Sequence, residues 1–384
     1  MKNYIYLLST GILLTITLCL PDAKNDSNWF KKCLETKSKM DRCIEFDLMI
    51  SKEFIKKEKN TAALSPIICD YNILIQCANN DFGSEYSLKS TDDLKFVDEQ
   101  TKNMNPEKFK TLNCLYEKVE VLHDDIAADG YLHKFFTIFE AEKVYNEHVE
   151  WIIKESHGLL SSPLDYLSFE SSERIYASLV YFKDNWAKKF DASESFTSDF
   201  YLDNERKTTR KFMFKHDNYR YKKIEGEVEY EVVVIPYSEK NENGYKRYMV
   251  YLIPSKYEMD LSKLWDAFRA SCKGRIQDFL STELTLKEIR LQIPKLENLK
   301  SAFDSAGLLE NVFKNNTARC FSSKMVTLLN VDETGTEAVI CLLSKYVDCC
   351  HITVKADRAH LSFIFDMESQ RILFITKDTG IIKE

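Results

Sequence analysis

The residues able to do covalent or metal chemistry in this 384-residue chain are scattered rather than assembled. His123, His133 and His148 read as surface or core histidines, and no Ser, His and Asp stand in an arrangement that argues for a nucleophilic triad. Of eleven cysteines, none forms a CxxC pair, and no His-rich spacing accompanies them, so zinc is not indicated. Asp124, Asp125 and Asp129 read as a solvated acidic face, because no calcium-loop spacing surrounds them. A Gly-rich phosphate loop is also missing. Neither a cofactor nor a metal is implied, and no catalysis can be argued. The stretch that does suggest chemistry runs from Asn330 to Phe365, NVDETGTEAVICLLSKYVDCCHITVKADRAHLSFIF.

Within it, Thr336, Ala338, Ile340, Leu342, Ser344 and Tyr346 form an uncharged face at period 2. Glu337 and Lys345 fall on the opposite face with Val339, Cys341, Leu343 and Val347. Such a segment can enter a sheet with its neutral side buried. Asp348-Cys349-Cys350-His351 then interrupts it before a second strand-like run, His351 to Val354. On pattern alone an ordinary hairpin with a polar tip is equally compatible.

The elements that would position this stretch lie along the whole chain. Met1 to about Ala23 has a short basic start at Lys2 and an apolar core from Tyr4 to Leu20, the pattern of a signal peptide. A signal anchor is the alternative, but the run is short for a span and no second apolar stretch follows. Secretion is therefore expected, and the sequons at Asn25 and Asn315 fit it as glycosylation sites. In an oxidising compartment Cys33 and Cys43 could pair. Apolar residues make up 44% of the chain, enough for a large core, and a net charge of −7 argues against nucleic acid or an anionic membrane as partner.

Trp29 to Lys59 shows helical spacing, Leu64-Ser65-Pro66-Ile67 a strand ending in a turn, and Asn72 to Ala78 a further helix. Alternation marks Tyr176 to Phe190 as a central strand, with Trp186 in the turn after it. Val232 to Tyr237 and Tyr248 to Pro254 read as strands joined by a polar hairpin, Glu239 to Tyr245. Leu286 to Leu296 alternates cleanly, and Glu297 to Lys300 reads as entering a helix.

These residues resemble the serpin family. Val331-Asp332-Glu333-x-Gly335-Thr336-Glu337-Ala338 looks like the hinge of the serpin reactive-centre loop. Lys355-Ala356-Asp357-Arg358 with Leu361-x-Phe363-Ile364 and Arg371 to Ile375 looks like the strands after it, although Ala359-His360 replaces the usual Pro-Phe. Tyr176 to Phe190 and FDLMISKEFIKKEKNTAALSPI are similar to further serpin segments, so the resemblance covers roughly residues 42 to 378.

It implies an α+β serpin fold: three β-sheets, about eight or nine helices and an exposed loop near residues 333 to 353, in one domain over residues 24 to 384. It implies a monomeric suicide substrate rather than an enzyme, whose partner is a protease held as a covalent acyl complex. In serpins the strand of Tyr176 to Phe182 borders the gap that receives the cleaved loop, and Trp186 packs at its top. Beneath the gap the family places polar residues near Ser65, where here Ile68, Ser178 and Met325 take three usual polar positions, so an apolar repacking is expected. Leu286 to Leu296 resembles the sixth strand of the main sheet.

Counting from the hinge places Cys349 at the specificity position, whereas counting back from the later strands places Asp348 there, before the Asp348–Cys349 bond. The carboxylate suits an Arg-lined pocket, which grips it bidentately. Tyr346-Val347-Asp348-Cys349 is similar to loops of poxviral serpins that inhibit caspases and granzyme-type proteases. Lys345, attracting a trypsin-like enzyme, is the alternative, and a non-inhibitory carrier or chaperone is another, suggested by bulky Val339, Ile340 and Leu342. A caspase target requires delivery of the secreted chain into another organism's cells.

Overall fold

The computed structural model describes residues 38–78, 84–128, 130–158, 160, 162, 164–273, 275–304, 324–335 and 352–381. Long apolar runs set the central sheet. β8 (Tyr230–Pro236), β11 (Arg247–Pro254), β16 (His360–Asp366) and β17 (Arg371–Asp378) carry apolar residues on both faces and are buried almost throughout. Together with β1 (Ala62–Leu64), β6 (Phe196–Tyr201), β7 (Lys207–Ile224), β12 (Thr285–Pro294) and β15 (Ile352–Lys355) they make nine strands, in the order β1-β17-β16-β11-β8-β7-β12-β15, with β6 on β7. β7 serves two blades: Phe212 to Tyr221 pair with β12, while Arg220 to Ile224 pair with β8. The polar hairpin between β8 and β11 holds β9 (Lys240–Asn241) and β10 (Gly244–Tyr245).

A second sheet has the order β3-β4-β2-β5, from β2 (Phe109–Lys118), β3 (Ile126–Ala128), β4 (Tyr131–Phe136) and β5 (Arg174–Phe182). Beside it β13 (Leu296–Asp304) and β14 (Lys324–Val331) pair with each other. Two expectations are corrected here. The alternating run Leu286 to Leu296 belongs mostly to β12, in the nine-stranded sheet, because alternation specifies a strand but not its partner. Glu297 to Lys300 is strand, not helix. A register shift between Leu296 and Leu299 lets both side chains be buried three residues apart, which mimics helical spacing.

Seven α-helices occur among the described residues: α1 (Lys39–Lys57), α2 (Pro66–Ala78), α3 (Ser84–Lys102), α4 (Ala141–Glu155), α5 (Tyr166–Ser171), α6 (Leu261–Ser271) and α7 (Ile276–Asp278). The Ser38 hydroxyl caps α1 by accepting from the Asp41 amide. α2 begins at Pro66, earlier than the pattern suggested, because proline is pre-set for a first helical turn. α1 buries Cys43, Phe46, Leu48, Phe54 and Ile55 against the nine-stranded sheet, and Trp265 of α6 donates its indole N–H to the Leu48 carbonyl at 3.0 Å. Arg42 and Arg371, both fully buried, bond Asp70 at 2.9 and 3.0 Å, and Arg371 also bonds Asp47 at 2.7 Å, joining α1, α2 and β17. Cys43 lies inside this packing as a free thiol, so the proposed Cys33–Cys43 pairing is corrected. α4 and α5 cover the four-stranded sheet over a separate small core built on Tyr116, Phe136, Val144, Phe169 and Ile175. Among the described residues, no helix is long and apolar enough to cross a membrane.

Candidate functional site

β5 and β14 are each followed by a segment that meets the other's at the Asn185–Gly335 bridge. β5 pairs with β2 on its far side and β14 with β13 on its own. Among the described residues no ladder joins β5 to β14, and the contact between the two arms is made beyond the strands, at the Asn185–Gly335 bridge. The core-facing Tyr176, Val180 and Phe182 of β5 are only half-buried, as expected at an open edge. Both strands thus leave one edge without a ladder among the described residues, and their following segments are clasped together at one end.

The clasp is a tight turn over Asp332 to Gly335. Asp332 accepts from the Thr334 amide at 2.8 Å and the Thr334 hydroxyl at 2.7 Å, an arrangement that fixes a turn locally. The amide and carbonyl of Asp332 and Gly335 face each other at 3.3 Å. Gly335 has φ +127°, and a Cβ there would stand 2.5 Å from Asn185 Cα and the Trp186 nitrogen and 2.6 Å from the Asp184 carbonyl. Only glycine fits so close to another backbone.

Trp186 holds the turn from beneath. Its indole N–H donates to the Asp332 carbonyl at 2.8 Å, its amide to the Thr334 carbonyl at 3.0 Å, and its ring stacks on Tyr237 at 4.8 Å. The Phe190 amide donates to the Glu333 carbonyl at 2.7 Å. The Glu333 carboxylate accepts from Ser195 and pairs with Lys295. Burial pushes its pKa up, but the Lys295 and Ser195 hydrogen bonds outweigh this and hold it below the usual carboxylate range. Below lies buried Asp184, bonded by Lys108 at 2.8 Å and Ser238 at 2.9 Å, with Arg247 at 3.5 Å.

A family model described as Serpin (serine protease inhibitor) matches residues 135–379, more than half of the chain. The chain belongs to the serpin family. A serine protease inhibitor of the rat, Rattus norvegicus, is 26% identical over 286 residues, 70% of this chain and 64% of the relative. The Arabidopsis thaliana "Probable non-inhibitory serpin-Z5" is 26% identical over 241 residues, 61% of this chain and 53% of its own length. The chain thus spans about half to two thirds of these curated relatives. The solved structure of thyroxine-binding globulin complexed with thyroxine superposes with a TM-score of 0.70 at 14% identity, covering 90% of this chain and all of that one. That likeness shows the α+β serpin fold. Serpins in general inhibit proteases by forming complexes with them rather than acting as enzymes, and some relatives are non-inhibitory.

The structure places the serpin positions read from sequence unequally. Glu333, Gly335 and Trp186 come together in the clasp. Ser65 lies buried at the other end of β1, its hydroxyl donating to the Leu373 carbonyl at 2.7 Å. The expected apolar repacking is corrected at Ser178, whose hydroxyl is shielded from solvent with no hydrogen-bond partner among the described residues. Its cross-strand neighbour Asn113 keeps an unpartnered Oδ1, while its Nδ2 donates to the Gly130 carbonyl at 2.9 Å. Met325 pairs through its backbone with Phe303 in the β13–β14 ladder. Thr336, Glu337, Ala338, Lys345, Asp348 and Cys349 lie outside the described residues, as do Asn25, Asn315 and the 1–23 segment. Sequence reading missed Lys295 and Ser195, which meet Glu333 from distant parts of the chain without a local signal.

Proposed function

We propose that this serpin is a secreted, monomeric suicide-substrate inhibitor of an Asp-directed protease. The target's serine or cysteine attacks the Asp348 carbonyl carbon, the Asp348–Cys349 bond breaks, and the new Cys349 amine leaves carrying a proton. Asp348 is then held as an ester or thioester. The freed residues from Thr336 onward enter the slot between β5 and β14, antiparallel to both. Thirteen residues run from Thr336 through Asp348, so the bound protease travels on the order of 45 Å at roughly 3.3 Å per residue. At roughly 1 kcal/mol net per new ladder bond, with apolar burial added, insertion supplies on the order of 10 kcal/mol or more. This deforms the protease before water can release it, and it requires an uncleaved fold held by kinetics.

The observation that supports the reading is that β5 and β14 share no ladder among the described residues, while Asn185 and Gly335 bridge where the hinge begins. Melting before and after cleavage of the loop tests it. A large rise in Tm is expected, and an unchanged Tm favours the second reading, a non-inhibitory carrier or chaperone. That reading is suggested by the bulky Val339, Ile340 and Leu342 in the loop. A trypsin-like target cutting after Lys345 is disfavoured, because too few residues would separate hinge from cut.

A further inference from the structure

An imidazole is buried where the chain enters β16, at the position where the serpin pattern carries phenylalanine. His360, the first residue of β16, is 1% exposed. It packs against Phe200 of β6 and Tyr251 of β11, with ring centroids 6.2 and 5.7 Å away. A phenyl ring would fill this space without a polar atom, so the histidine brings a proton site into the packing. The Arg358 carbonyl can only accept, so Nδ1 donates to it at 2.8 Å and the neutral ring carries its proton there. The bare Nε2 then faces Asp378 of β17, 4.0 Å from its Oδ2.

Asp378 starts a chain of contacts that ends at the clasp. Its buried carboxylate accepts from Arg210 Nη1 of β7 at 2.7 and 2.8 Å, from the Thr61 hydroxyl at 3.1 Å and from the Gly380 amide at 3.0 Å. The other arm of the same guanidinium, Nη2, donates to the Lys295 carbonyl at 3.0 Å. Lys295 lies between β12 and β13, and its ammonium pairs with Glu333 in the clasp. One guanidinium thus ties the main chain of the residue that holds Glu333 to a carboxylate that His360 also faces. The charges around His360 are Asp378 from β17, Arg210 from β7 and the Asp357–Arg358 pair from the linker before β16. β11 presents the Tyr251 phenol, and β6 only the Phe200 ring.

We propose that His360 is a proton-operated latch on the clasp. A proton on Nε2 aims an N–H at Asp378 Oδ2, where it competes with Arg210 for the carboxylate and repels the guanidinium. Arg210 then gives up the Lys295 carbonyl, and the Lys295–Glu333 pair loses its fixed base. Burial holds the imidazole neutral in the closed latch and lowers its pKa, although Asp378 opposes this. In the opened latch the ordinary value of about 6.5 returns, so proton uptake favours opening as pH falls below it. Glu333 does not drive this step, because its own depressed pKa keeps it ionised to more acid pH. The latch acts in the uncleaved chain and does not depend on protease inhibition. An acidic compartment would loosen a clasp that a neutral one keeps shut.

Amide exchange of the uncleaved, full-length chain at about pH 7.5 and 5.5 tests this. With one proton linked to opening, protection of the Trp186 and Phe190 amides, corrected for intrinsic exchange, should fall about tenfold between the two. His148→Leu should leave that fall unchanged, because the clasp opens locally. His360→Phe should abolish it while keeping the protection seen at neutral pH. Arg210→Lys keeps the charge but cannot span Asp378 and the Lys295 carbonyl. It should lower clasp protection at neutral pH and leave it insensitive to acid. Unchanged wild-type protection at the lower pH, or a fall that persists in His360→Phe, overturns the proposal. A fall in Arg210→Lys equal to that of wild type overturns it as well, since the coupling then bypasses Arg210.

Discussion

Replacing Gly335 with alanine strikes the clasp where the structure leaves least room. The new Cβ would lie 2.5–2.6 Å from three backbone atoms of residues 184 to 186, none able to rotate away, and the φ of +127° is one that L side chains rarely adopt. Backbone strain of this kind costs about 1–3 kcal/mol. Relief requires the turn to move off Trp186 and Phe190, endangering three bonds: Trp186 amide to Thr334, indole to Asp332, and Phe190 amide to Glu333. At about 0.5–1.5 kcal/mol each these add about 1.5–4.5 kcal/mol. Together these put the loss at the clasp at about 2.5–7.5 kcal/mol, with the outer parts of the fold little changed. Hydrogen exchange reads this directly: protection of the Trp186 and Phe190 amides should fall by two or more orders of magnitude, while β11 and β16 amides keep theirs. The variant should also lose inhibitory activity on storage, as an unclasped loop enters the slot uncleaved. Wild-type protection at Trp186 and Phe190 would refute the clasp.

Lys295→Ala should weaken the same turn by about 1–2 kcal/mol, seen as lower protection of the Phe190 amide. Because the Glu333 pKa is depressed, its contribution is complete above the ordinary carboxylate value and is lost as pH falls through the lowered one; without Lys295 that acid loss should be smaller and should end at higher pH. His148, buried on α4 with Nδ1 3.2 Å from the Tyr116 hydroxyl, has its pKa lowered by burial to about 4. The unfolded chain then takes up the proton first, so stability is complete above about pH 6.5 and declines toward pH 4, by about 3 kcal/mol at most. His148→Leu should flatten that decline in urea melts, leaving the part due to buried His360, whose pKa is also lowered by burial. Thr336→Arg, at the first inward position after the hinge, should bury an unpaired charge on insertion, so that the loop is still cut but no complex forms.

The residues of the clasp were legible through the serpin resemblance, which names Glu333, Gly335 and Trp186 but not the turn that joins them; Trp186 also follows a strongly alternating strand. The slot was legible only through resemblance, since no sequence pattern states that two strands remain unladdered. Leu296 and Leu299 misled because a bulge reproduces helical spacing within β13. Lys295 and Ser195 were unreadable for a different reason: each is an ordinary surface-type residue until the fold brings it to Glu333. Cys43 looked available for pairing, yet α1 turns it wholly inward beside Arg42.

The central claim is that cleavage after Asp348 drives insertion and traps the protease. It is tested most directly by incubating wild type and Asp348→Ala with caspases and an Asp-specific serine protease, then separating the mixtures in SDS. A covalent band containing the protease and the chain through Asp348 is predicted for wild type with at least one of them, and no such band for Asp348→Ala. Clean cutting at Asp348 without a stable band, or a stable complex only with a trypsin-like enzyme cutting after Lys345, would contradict it.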